Sequence, residues 1–164
     1  MARSRAPRHL TSAVTGAMMG AAAFLGLATT ASAAQSQPGC ALVPVATVDS
    51  VYGVKVGAPT AVSKPPVTVC TYDSFEPLVS VLFRFQVGET VQEFQAARKQ
   101  FGSHGQHTTT REGLGQRAYS SVFGSGKTLT STIVVLTGST ELLISGSGPL
   151  SKAELLARKI LPKL

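Results

Sequence analysis

The sequence predicts an α+β domain. The expected fold is an antiparallel sheet of about five strands with helices packed on one face, in the order α-β-β-α-β-β-β-α, tied by one disulfide. Three observations support this. Alternating β-branched and aromatic runs recur at 67–73 and 78–87, and three more follow between 117 and 147. Helically spaced apolar residues recur at 41–54, 88–102 and 149–164, bracketing those runs. The only two cysteines are Cys40 and Cys70, both ahead of the longest strand. Runs of strands with helices gathered beside them make an α+β layer fold.

The first 33 residues are set apart from this fold. "MARSRAPRHL" carries Arg3, Arg5 and Arg8 and no acid, "TSAVTGAMMGAAAFLGLATT" is uncharged, and Ala31 and Ala33 form an A-x-A site. Basic, apolar and small-residue regions in that order read as a secretory signal peptide over 1–33. Residues 34–39 are a polar lead-in, and 40–164 are expected to be a single domain. Beyond the leader no apolar run is long enough for a transmembrane span.

"ALVPVATVDSVYGV" reads as a short helix, with Pro44 near its first turn, Val45, Val48, Val51 and Tyr52 on one stripe, and Gly53 at its end. "KVGAPTAVSKPP" reads as a loop because Pro59, Pro65 and Pro66 oppose regular structure. "VTVCTYD" is a strand carrying Cys70. In "LVSVLFRFQV", Val79, Val81, Phe83, Phe85 and Val87 share one face, and Leu78, Ser80, Leu82, Arg84 and Gln86 share the other. "GETVQEFQAARKQFG" is a helix with Val91, Phe94, Ala97 and Phe101 as its stripe and Glu89 and Glu93 at its start. "SHGQHTTTREGLGQ" is a polar connection. "RAYSSVF", "TLTSTIVVL" and "ELLISGS" then form a meander with turns at "GSGK" and "TGST". The last helix lies in "PLSKAELLARKILPKL". Ser151 is expected to cap it in a box with Glu154, and Leu155, Leu156, Ile160 and Leu164 to form its buried stripe.

An exported chain meets an oxidising compartment, so Cys40 and Cys70 are expected to pair. Two other readings stand beside this one. Cys40 could be a lipid anchor at the mature N-terminus, although Gln37 and Pro38 separate it from the apolar run. Either cysteine could be a nucleophilic thiol, although no histidine is near in sequence. The loop between the cysteines has few strongly apolar residues, so the bridge is expected to be the main tie between the first helix and the sheet.

Charge limits the function classes. Charged residues are 14% of the chain, against roughly a quarter in most soluble proteins. The formal charge is +7; without the leader's three arginines it is +4, from 12 basic and 8 acidic residues. The basic residues are scattered except for Lys152, Arg158, Lys159 and Lys163, a cluster that reads as a solvated helix face. A nucleic-acid footprint needs a denser stripe with interleaved aromatics, so no nucleic-acid partner is expected.

The letters GSGKT at 124–128 suggest a phosphate-binding loop. The motif places its first glycine at 121, which is Ser121, and needs a helix after the lysine. The residues that follow are β-branched and alternate, so a hairpin turn is expected and no nucleotide. His104 and His107, with Glu112 near them, are weak candidates for a metal site that lacks its remaining ligands. There is no G-x-S-x-G elbow. No catalytic residue and no cofactor is expected.

Several pieces together resemble a family of small actinobacterial exported proteins and lipoproteins that form a domain of unknown function. The pieces are "CALVPVATVDSVYGVKVGAP", "CTYD", "VSVLFRF", "EGLGQRAYSS", "IVVLTGSTELLISG" and "ELLARKILPKL". The family pattern falls on Cys40, Gly53, Cys70, Tyr72, Gly113, Leu114, Gly115 and Tyr119, and the resemblance covers about residues 40–164. It implies an exported domain and lends no catalytic residue. The resulting expectation is a secreted, non-catalytic domain that binds a ligand or protein partner at the cell envelope or outside the cell. A secreted inhibitor of a hydrolase is the alternative. A small secreted enzyme with a dispersed or histidine-based metal site is the third.

Overall fold

The structure, a computed structural model, describes residues 38–103 and 106–164. The proposed leader and most of the lead-in lie outside the described residues. The helices are α1 (Val45–Tyr52), α2 (Val91–Ser103) and α3 (Leu150–Ile160). The strands are β1 (Thr60–Lys64), β2 (Val67–Phe75), β3 (Leu78–Val87), β4 (Thr108–Thr110), β5 (Arg117–Phe123), β6 (Thr130–Thr137) and β7 (Thr140–Ser147). They form one sheet in the order β1-β2-β3-β7-β6-β5-β4, antiparallel at every pairing. Two runs of consecutive hairpins are joined where β3 meets β7, with Phe83 opposite Ile144.

The class is as expected and the strand count is not: among the described residues there are seven strands, not five. Both additions are edges. β1 lies in the proline-containing stretch read as a loop. Its prolines flank it at 59, 65 and 66 and leave Thr60–Lys64 free to pair with β2. An edge strand tolerates such neighbours. β4 lies in the stretch read as a polar connection, and three residues are too few to show a period.

The helices also do not share one face. Side chains alternate along a strand, and two apolar clusters follow that alternation. On one face, α1 and α3 cover Val81, Phe83 and Phe85 of β3, Ile133 and Val135 of β6, and Leu142 and Ile144 of β7. On the other, Phe94 and Phe101 of α2 lie over Tyr119, Val134, Leu136 and Leu143. The unbroken run Ile133-Val134-Val135-Leu136 is the signature of a strand buried on both sides.

The helix ends differ in detail from expectation. α3 starts at Leu150 behind Pro149, with no side-chain cap from Ser151. Glu154 pairs instead with Arg111 at 3.5 Å. The buried stripe of α3 is Ala153, Leu156, Ala157 and Ile160, an i, i+3, i+4, i+7 set, while Leu155 and Leu164 are exposed. A reciprocal capping box opens α2: the Thr90 amide donates to Glu93 Oε2 at 2.9 Å, and the Glu93 amide donates to Thr90 Oγ1 at 3.3 Å. α1 follows Pro44 and ends at Gly53, whose φ of 71° lets its amide reach the Asp49 carbonyl.

Cys40 and Cys70 form a disulfide with Cα atoms 5.6 Å apart. The bridge is not the sole tie of α1 to the sheet. Val43, Val48, Val51 and Tyr52 belong to the principal core with α3, and the Tyr72 hydroxyl donates to the Val43 carbonyl from β2. Among the described residues no helix is long and apolar enough to cross a membrane.

Candidate functional site

On the face carrying α2, strand register arranges side chains in rows across the sheet. One row runs Thr110, Tyr119, Val134, Leu143 and Arg84, from β4 to β3. The next, towards the far end of β5, runs Thr108, Ser121, Thr132 and Ser145. α2 covers part of the first row and leaves the second more open. A recess of about 370 Å³ lies between α2 and the sheet, lined by Arg84, Ala97, Gln100, Phe101, Gln106 and Tyr119. A trough of about 290 Å³ adjoins it, shares Phe101 and Gln106, and is floored by Ser121, Thr132, Leu143 and Ser145.

The recess has a charged base. An Arg84 Nη2 donates to Glu141 Oε1 in an ion pair, with the Glu141 side chain almost wholly buried and Arg84 about one-third exposed. A buried pair of this kind is costly to desolvate and harmful to break. Beside it, Gln86 Nε2 donates to Glu89 Oε2 at 2.6 Å. Burial, then the neighbouring Glu141 and Glu93 carboxylates, push the Glu89 carboxyl above the usual carboxylate range. The Tyr119 hydroxyl is pushed up to about 12, first by burial and then by Glu141. The Arg98 guanidinium lies 5.8 Å from the centre of the Tyr119 ring and donates through Nε to Thr108 Oγ1 at 3.3 Å. Phe94 and Phe101 close the other sides of that ring at centroid distances of 5.2 and 5.9 Å.

Two buried polar atoms on this face have no hydrogen-bond partner among the described residues: Arg84 Nε and Ser121 Oγ. Buried polar atoms are nearly always paired, so each such exception calls for an explanation. One belongs to a residue lining the recess and the other to a residue lining the trough.

The residues singled out in the sequence do not converge here. Cys70 points to the opposite face and joins the core there. His107 is exposed just before β4, and Glu112 is exposed in the loop after it. His104 lies outside the described residues. Among the described residues no group of three or more His, Cys, Asp or Glu side chains could hold a metal. The GSGKT letters close the β5–β6 hairpin. Gly126–Thr128 form a single 3-10 turn, and strand β6 follows where a phosphate loop needs a helix. Gly124 has a φ of 79°, and a Cβ there would stand 2.5 Å from the Thr128 carbonyl oxygen. That glycine is needed for the turn.

Arg84, Glu141, Tyr119 and Ser121 were missed as a group. Arg84 is the one charge inside the longest strand, but its partner lies 57 residues away. Only the β3–β7 register brings the two together. No family model matches the chain, and neither does any curated protein or solved structure.

Proposed function

We propose that this chain is an exported, non-catalytic domain that binds a ligand or partner at the cell envelope or outside the cell, through the sheet face beside α2. The carrying observation is the recess between α2 and the sheet, with the Arg84–Glu141 pair at its base and Arg84 Nε buried without a partner. A concave site with apolar walls and a few placed polar groups is the usual form of a ligand site. Export is supported by the leader pattern and the disulfide. Membership of the exported actinobacterial family belongs to the same proposal.

Ala97 lines the recess from α2, so Ala97→Trp fills it without entering the principal core. Protein recovered from culture medium is expected to begin at Ala34 by N-terminal sequencing. Wild type is expected to be captured by an envelope fraction, and Ala97→Trp is not, at an unchanged denaturation midpoint. Equal capture of both would overturn the assignment of the site. An acylated chain beginning at Cys40 would overturn secretion in favour of a lipid anchor.

One observation favours a second reading, a secreted inhibitor of a hydrolase. At the tip of the β2–β3 hairpin, Phe75 and Leu78 stand directly opposite each other and are 85% and 79% exposed. Two large apolar side chains exposed together at a hairpin tip suit insertion into a partner's cleft. Loss of hydrolase capture in Phe75→Ser/Leu78→Ser, with envelope capture intact, would select this reading.

A further inference from the structure

We infer that the trough beside the recess is a subsite for a neutral, hydroxyl-rich ligand, a glycan chain, held on a floor of hydroxyls between two phenylalanine rings. This rests on the binding role proposed above and names the class of ligand.

Strand register places Ser121, Thr132 and Ser145 directly opposite one another on β5, β6 and β7, with Thr108 of β4 continuing the row. Neighbouring strands lie about 4.8 Å apart, so the four hydroxyls span roughly 14 Å. No residue of this row is charged. Phe101 and Phe123 line the trough, and Phe123 is 69% exposed. An exposed aromatic ring gives a flat apolar surface that the C–H face of a sugar ring can cover.

The donor and acceptor balance sets the ligand's chemistry. Thr132 Oγ1 and Ser145 Oγ are 2.9 Å apart, and either can donate. That bond uses one of their two hydrogens. Ser121 is only 5% exposed, and its Oγ has no partner among the described residues. The three hydroxyls therefore keep two hydrogens and several lone pairs for a ligand. An anion offers acceptors only, and a cation offers donors only. A sugar hydroxyl offers both. Arg84 is already paired with Glu141, and Arg98, the cation at the β4 end of the row, is engaged with Thr108 Oγ1 and the Tyr119 ring, so both cations are held by protein groups. Ser121 lies two residues from Phe123 on the same face of β5, and both line the trough.

The test is a titration of isotope-labelled mature protein with neutral oligosaccharides, acidic oligosaccharides and sheared envelope polysaccharide, followed by amide shifts. Neutral oligosaccharides are expected to shift amides of β5, β6 and β7 around the trough. Ser121→Ala and Thr132→Val are each expected to weaken binding about tenfold, the loss of one well-made hydrogen bond. Ser121→Ala removes a hydroxyl without a partner and is expected to keep the wild-type denaturation midpoint, which separates lost binding from lost fold. Response to free oligosaccharides identifies a soluble ligand, and response to polysaccharide alone identifies the envelope as its source; either supports the inference. No response to any neutral glycan, a response only to acidic ones, or binding unaffected by both variants would overturn it. If that happens while Ala97→Trp still abolishes envelope capture, the glycan inference fails and the binding role stands. If capture is also insensitive to Ala97→Trp, both fail.

Discussion

Removing the disulfide gives the sharpest test of how this domain is held together. Cys40→Ala/Cys70→Ala opens a loop with a sequence separation of 30. The chain-entropy relation gives about 3.7 kcal/mol for a closed loop of that length. A domain of this size has a total stability of ~5–15 kcal/mol, so the variant should fold with a much smaller margin. In urea, a slope of ~1–3 kcal/mol/M puts the midpoint roughly 1–4 M lower. The distribution of the loss is more informative than its size. Val43, Val48, Val51 and Tyr52 are in the same core as Leu156, Ala157 and Ile160 of α3, so α1 cannot loosen alone. Native-state hydrogen exchange should show protection falling together in α1, α3 and the inner strands β3, β6 and β7. Loss confined to residues 40–66, with α3 and β6 unchanged, would show that the bridge holds α1 against the sheet and that the apolar contacts do not.

Other substitutions test single features. Gly146→Ala should cost ~1–3 kcal/mol by overpacking, because a Cβ there would stand 2.3 Å from the Tyr52 hydroxyl. Tyr52→Phe should recover part of that in urea melts, and an additive double variant would refute the clash. Arg84→Met should cost about 3 kcal/mol by leaving Glu141 buried without its cation, and Arg84→Met/Glu141→Leu should regain most of it. A loss under about 1 kcal/mol for Arg84→Met would mean the pair behaves as an exposed one. Asp49 accepts from the Val56 amide and from Lys55 Nζ, and those bonds hold its carboxyl below the usual aspartate range. Its contribution to stability is therefore complete above the ordinary aspartate pKa of about 3.9 and is lost as pH falls through the lower native value. Asp49→Asn should flatten the acid limb of the stability–pH curve, and an unchanged limb would assign that limb to other carboxylates.

The inner sheet was legible because its strands alternate or run apolar over eight to ten residues. Phe83 and Phe85 declare their side of β3 without help from any partner. The edges were not legible. Thr60–Lys64 carries no burial pattern, since all five residues are exposed, and Thr108–Thr110 is shorter than two periods. The placement of α2 was readable in principle from the Ile133–Leu136 run, which needs cover on both faces. The cap of α2 was readable too, since Thr90 and Glu93 have capping-box spacing. The site was hidden for a different reason. Arg84–Glu141 and the row Ser121, Thr132, Ser145 exist only once strand order and register are fixed, and β3 beside β7 is a pairing that no local signal announces.

The two chain ends of the domain close on each other. Lys152 Nζ donates to the Tyr52 carbonyl at 3.2 Å, and Lys163 Nζ donates to the Leu42 carbonyl at 3.1 Å, across separations of 100 and 121 residues. Among the described residues α1 is the first α-helix in the chain and α3 the last, yet each buries its apolar stripe partly against the other. The principal core thus stays open until the final turn of α3 is available, and long loops must close before those contacts form. A chain emerging in order from N- to C-terminus keeps α1 without its partner throughout synthesis. A truncation that removes α3 should leave a polypeptide that never reaches the protease-resistant state.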